Sequence, residues 1–344
     1  MDFNVEPYYD DFEASNGAKD ENYMRILFRP GYAVQARELT QIQSILQNQL
    51  KNFGDHIFED GSPVFGGQIT LDTNAQYLKL QTAYNGVDID VADFANTVIL
   101  NSSGNEKIRA RVISTDETQT QPTLMVRYLR GNQFPNGNVI QTTTGTFGQL
   151  VASSASGKGS VASIAEGVFY VDGYFVKVAP QTIVLDPYGN TPTYKVGLEI
   201  DDSVIDESAD ANLLDPAQNS FNYQAPGAWR YQFKLNLAKR ALTSVDDNKF
   251  FELLRVENGL ITKQVRYPIY SAIEDTLARR TFDESGDYTV RPFGISLEAN
   301  TACTDNFIVN IEPGKAYVKG YEYEFPGTQK ISVTKARTSN TSTD

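Results

Sequence analysis

The sequence predicts a mainly β protein, opened by an extended arm and one long amphipathic helix. Three observations carry that expectation. The 344-residue chain is 40% hydrophobic and 11% aromatic, with 19 Tyr and 19 Phe, a composition that suits the half-buried, pleated surface of strands. From Asp60 onward, short alternating runs such as "QYLKLQ", "KIRARVIS" and "TLMVRYLRG" are separated by Gly, Asn, Asp and Pro, the punctuation of strands and turns. Only residues 26–58 hold a sustained helical period. The expected body is a set of antiparallel sandwich or barrel-like β domains with repeated hairpins.

Taken in order, residues 1–58 read as arm and helix. The first 25 residues mix acidic with aromatic side chains, and Phe3, Tyr8, Tyr9 and Phe12 would be wasted in water, so the arm is expected to lie against this chain or a neighbour. Pro30-Gly31 then marks a turn. In the helix expected over 33–53, Leu39, Ile42, Leu46, Gln49, Phe53 and His56 follow at three- or four-residue steps, with Ile45, Leu50 and Ile57 beside them. Some 20 residues of helix reach about 30 Å. The remaining faces are mostly Gln, Asn, Thr and Ser, which set no charge register but hydrogen-bond readily. Two uses of the stripe stay open: docking on this chain's own core, or a seam with another subunit.

Residues 59–150 read as a first β domain, with "IRARVIS" and "TLMVRYL" as an antiparallel pair. The stretch 131–163, rich in Gly, Ser, Thr and Asn, reads either as a flexible linker or as a sheet edge with long turns. Residues 151–335 form a second β region, one or two subdomains, that contains an internal echo. "IAEGVFYVDGYFV" and "IEPGKAYVKGYEY" align without gaps, 311 − 164 = 147 residues apart, as two hairpins over 164–176 and 311–323. Asp172-Gly173 and Lys319-Gly320 supply the turns. Between the echoes, Asn258-Gly259 signals a further hairpin, and "SAIEDTLARRTFDESG" a short helix with Ser271 as cap and Glu274 three residues on. Residues 336–344 are a patternless polar tail or a linker.

The formal charge of −13 argues against a protein that neutralises a nucleic-acid backbone. One cysteine, Cys303, can form no internal disulfide and fits a reducing compartment. No run approaches the length of a membrane span and no secretory leader opens the chain, so neither membrane insertion nor classical secretion is expected. The lone histidine, His56, has no cluster of His or Cys around it in sequence, which speaks against a catalytic triad and a zinc site. Acidic pairs (Asp10-Asp11, Asp201-Asp202, Asp206-Glu207, Asp246-Asp247) lack the spacing of a calcium loop, and neighbours on a strand point to opposite faces. "SASGKGS" lacks the rest of a phosphate loop. No catalytic residue, cofactor or metal is expected.

The stretch "FRPGYAVQARELTQIQSILQNQLKNFGDHIFEDGSPVFGG", with "GVFYVDGYFV", "ARRTFDESGDYTVRPF" and "PGKAYVKGYEYEF", resembles a family of tailed-bacteriophage virion proteins of undefined function, common among marine and cyanobacterial phages. The resemblance covers most of the chain. It implies a structural component of the tail, at the baseplate or the tail-fibre attachment, assembled in the host cytoplasm and carried in the virion. Its partners would be other tail, baseplate or fibre proteins and further copies of itself, a trimer being one expected form. The expected contact residues are Leu39, Ile42, Leu46, Gln49 and Phe53 on the helix, with Phe3, Tyr8, Tyr9 and Phe12 on the arm. A receptor- or glycan-binding tail protein is the alternative, and a glycan-degrading enzyme built on a carboxylate pair stands behind it.

Overall fold

The computed structural model describes residues 23–101, 108–131, 133–245, 247–266, 268–270, 272–299 and 306–335. The aromatic residues assigned to the arm lie outside the described residues, as do Ser271, Cys303 and the tail 336–344. Among the described residues there are 23 strands and two α-helices, α1 (Ala36–Asp55) and α2 (Ala272–Ser285), and every strand pairing is antiparallel. No described helix is long and apolar enough to cross a membrane.

The echo seen in the sequence is the visible part of a larger duplication. Each repeat is a helix followed by a meander of three long strands, and all three strands bend at a common corner. In repeat one the strands are Ser62–Gly66 with Ile69–Lys79, Ser156–Ile164 with Gly167–Val171, and Tyr174–Val178 with Gln181–Asp186. In repeat two they are Tyr288–Arg291 with Ile295–Ala299, Asn306–Ile311 with Gly314–Val318, and Tyr321–Phe325 with Gln329–Thr334. The registers match from the corner along Val161–Ile164 and Ile308–Ile311, beyond which repeat one is bulged beside Ser160 and repeat two runs on regularly. Ile69 pairs with Ile164 and Ile164 with Gln181, as Ile295 pairs with Ile311 and Ile311 with Gln329. Even the bulge in the first strand recurs, between Pro63 and Phe65 in one copy and Thr289 and Arg291 in the other.

Local chemistry explains the shared hairpin. Asp172 and Lys319 sit at φ 47° and 53°, Gly173 and Gly320 at 83° and 81°, so both turn residues of each copy are left-handed, as a two-residue hairpin of the right twist needs. An aspartate ahead of each first strand fixes that turn. Asp60 Oδ1 accepts the Asp172 N–H at 2.7 Å, and Asp287 Oδ1 accepts the Lys319 N–H at 2.6 Å. The glycine also lets the helix close in: a Cβ on Gly173 would meet Lys51 Cβ at 2.6 Å, and one on Gly320 would collide with the Ala278 carbonyl.

Two further blocks complete the chain. Residues 80–150 are inserted into repeat one, where five of their strands join the eight-stranded sheet around a core of Leu80, Phe94, Ile99, Leu124, Ile140 and Leu150, and Ala83–Tyr84 with Val87–Asp88 form a small hairpin of their own. That sheet takes Ile69–Lys79 from one side of residue 150 and Ser156–Ile164 from the other, so the strand pairing does not part at 150 as the sequence division has it. The Gly/Ser-rich stretch is strand rather than linker, because Gly157 and Gly159 admit the Tyr77 ring and the Pro187 carbonyl where a Cβ would not. Residues 194–264 form a separate four-stranded sheet in the order Arg230–Arg240, Tyr194–Ile205, Phe250–Glu257, Leu260–Gln264. It covers the apolar face of repeat one, joining Leu235, Leu237, Leu253 and Leu254 to Ile69, Ile164, Val176, Val178 and Leu185 in one core.

Candidate interaction surface

Helix α1 begins where its sequence supplies a reciprocal cap: Gln35 N–H donates to Glu38 Oε2 at 2.8 Å while the Gln35 side chain serves the first turn. Its docked side is largely polar. Gln41, Ile45 and Gly54 are buried, Gln47 Nε2 donates to Gly173 O at 2.7 Å, and the Tyr170 hydroxyl donates to Lys51 O and Asp55 Oδ1. Gly54 is required there, since a Cβ would stand 2.5 Å from the Tyr170 ring. Phe58 continues the anchor, its ring 5.8 Å from that of Tyr170 and 6.0 Å from that of Tyr270.

Electrostatics tighten this joint modestly. Burial works to lower the Lys51 pKa, but the Asp172 carboxylate 2.7 Å away, with Asp55 and Asp60, outweighs it and holds the ammonium charged. The Tyr170 hydroxyl is driven far above the ordinary phenol range, first by burial and then by Asp55, so it stays a donor. Burial also raises Asp60, against the pull of the Asp172 N–H.

With that side docked, the apolar stripe is left outward. Leu39, Leu46 and Phe53 are 52%, 60% and 66% exposed, Gln49 is exposed, and Ile42 is half-buried. Docking on this chain's own core, one of the two uses open in the sequence, is therefore not how the described chain uses the stripe. The segment before the helix adds Leu27, Phe28, Tyr32 and Val34, all exposed. Singly exposed apolar residues are ordinary, but three at seven-residue steps on one helix, Leu39, Leu46 and Phe53, share a face and are not.

A second apolar surface escaped the sequence reading. The face of repeat two that matches the covered face of repeat one carries Ile295, Leu297, Tyr323, Ile331 and Val333, at 71%, 70%, 56%, 48% and 38% exposed. Its opposite side is polar, with Ser296, Glu298, Asn310 and Ser332. Period-2 alternation signalled a one-sided strand, but nothing in it says whether that side is covered.

Other candidates resolve into structure. His56 is exposed at the end of α1, its Nδ1 2.7 Å from Asn52 O. Asp206 accepts from the Ser208 hydroxyl and the N–H groups of Ser208 and Ala209, which hold it below the usual carboxylate range and make it a turn former. Asp202 faces Lys249 at 3.2 Å. Among the described residues no three His, Cys, Asp or Glu side chains gather as a metal site would require. One cleft of about 290 Å³ lies at the rim of the inserted block, walled by the stacked rings of Tyr84 and Phe147, 6.5 Å apart, with Asp88 and Asp93 beside them.

No curated protein and no solved structure matches the chain. Matched over residues 6–134 and 133–343, the chain belongs to the family described as Domain of unknown function (DUF4815).

Proposed function

We propose that the protein is a structural subunit of a bacteriophage tail, acting at the baseplate or the tail-fibre attachment as an adaptor that joins neighbouring subunits. The observation that carries this reading is the outward apolar stripe of α1, held on a rigid β body by Tyr170, Gln47 and Lys51. A rigid element presenting Leu39, Leu46 and Phe53 to solvent suits a contact whose apolar core is desolvated on assembly. The sequence resemblance supplies the tail setting, and the antiparallel sheets, read as sandwich or barrel-like bodies, would act as spacers. In this reading the chain works by contact rather than by catalysis, with other tail proteins and copies of itself as partners, and resides in the virion.

The test is Leu39→Asp with Leu46→Asp. Two carboxylates in a closing apolar seam would abolish incorporation into particles, or self-association if the seam is between copies, while circular dichroism of the β body stays unchanged. Normal assembly of that variant would remove the stripe from the mechanism.

The Tyr84–Phe147 cleft favours a second reading, glycan or receptor binding, because paired rings flanked by carboxylates suit a sugar's apolar face and hydroxyls. Calorimetric titration with host-surface glycans would show binding that Tyr84→Ala removes. A chain that binds none of them has only the assembly role.

A further inference from the structure

The duplication provides a comparison inside one chain. In repeat one, Ile69, Leu71, Ala162, Ile164, Val176 and Ile183 point to one side and are closed by the four-stranded sheet of residues 194–264. Their partners by register in repeat two are Ile295, Leu297, Val309, Ile311, Tyr323 and Ile331, so each of these positions stays apolar. The chain carries two such faces and one covering sheet. Gln181 shows how the cover is tied on: its amide donates to Leu235 O at 2.9 Å and accepts from Leu237 N–H at 2.7 Å. The matching Gln329 donates instead to Ile261 O, at the far edge of that sheet, and the face beside it stays open.

We infer that the open face of repeat two is a self-association surface, closed by the same face of a second copy of this chain in sheet-on-sheet packing. Two features on the face favour a second copy. The exposed Ile295, Leu297, Val318, Tyr321, Tyr323, Ile331 and Val333, each between 37% and 71% exposed, form a patch of large apolar side chains of the kind that the ~800 Å² each partner contributes to a standard interface would cover. Charge permits the approach despite the overall −13. By register the nearby ion-paired charges, Arg291, Lys315 and Lys330 with Glu298, Glu322 and Glu324, lie on the opposite side of the strands, so the apolar face itself brings no like charges together when two copies meet. A two-fold contact also needs no second surface, because each side chain finds its own counterpart.

This surface is distinct from the α1 stripe, and the experiment separates them. The full chain is weighed by light scattering at about 1 to 100 µM, the range in which a standard interface of ordinary affinity populates both states. The expected mass is twice 38.2 kDa, also for the Leu39→Asp/Leu46→Asp chain. Leu297→Lys with Ile331→Lys places cations of both copies in the seam and should give a monomer with unchanged circular dichroism. The milder Leu297→Ser alone should weaken the dimer at least tenfold, which guards against a folding defect in the double variant. A monomeric unmodified chain, a dimer that survives Leu297→Lys/Ile331→Lys, or an odd-numbered assembly overturns the inference. The monomer result would assign the face to a different protein.

Discussion

Repeat one and repeat two share topology, register, turn type and even the bulge of their first strand, yet one is core and the other is surface. Ile69 is 1% exposed and its counterpart Ile295 71%; Val176 is 8% and Tyr323 56%. The strands themselves do not make that difference, since both copies keep apolar residues on the same side. The cover makes it: residues 194–264 close the first face and, among the described residues, meet repeat two at the edge near Ile261. A β strand's alternation states which side wants to leave water, while the neighbour that satisfies it is set by the rest of the chain or by another chain.

The comparison can be broken most forcefully by truncating matched positions. Ile69→Ala removes a side chain from a closed core and should cost about 2–5 kcal/mol of unfolding free energy by urea titration. Ile295→Ala, measured below the concentration at which copies associate, should stay within about 0.5 kcal/mol because its side chain is already in water. Equal losses would mean that repeat two is covered within its own chain.

Next in size is a pair that should not differ. Gly173→Ala and Gly320→Ala each place a Cβ at a left-handed turn position and against a helix, Lys51 in one copy and Ala278 in the other. Each should destabilise by about 1–3 kcal/mol. A large loss in one repeat alone would show that only that helix is docked through its hairpin.

The smallest effect follows pH. Burial pushes the Glu322 pKa up, but the hydrogen bonds from Lys315 and the Tyr317 hydroxyl outweigh it and leave it below the ordinary value. A depressed carboxylate stabilises the fold above its unfolded pKa, and that contribution disappears as pH falls through the folded value. The sign is opposite at Asp60, whose raised pKa means that its charged form costs stability and that acid relieves the cost. Glu322→Gln should therefore lower stability at pH 7 by less than about 0.5 kcal/mol, given the pair's exposure, and change nothing near pH 3. A penalty that persists in acid would assign the loss to packing rather than to charge.

Much of this was legible from residues alone. The mainly β class followed from alternation and turn residues, and the hairpins at 164–176 and 311–323 from Asp172-Gly173 and Lys319-Gly320, whose conformation few other pairs adopt. The rest of the duplication stayed hidden for a physical reason. The second strand and the first half of the third repeat 147 residues apart and the rest of the third at 329 − 181 = 148, but the first strand repeats at 295 − 69 = 226, because residues inserted before Ser156 shift the period. The first strands also diverge in sequence, "SPVFGGQITL" against "YTVRPFGISL", and keep only their register. At the α1 site the stripe was readable from its spacing. Its outward direction was not, since that follows from Tyr170, Gly173 and Asp172, more than 110 residues away.

The most direct measurement is hydroxyl-radical footprinting of the full chain, read by mass spectrometry at low and high protein concentration. Ile69, Val176 and Leu185 should remain unlabelled throughout, whereas Ile295, Leu297 and Tyr323 should label strongly when dilute and become protected when concentrated. Labelling of the two faces to the same extent when dilute, or no protection of the second face on concentration, would contradict the account.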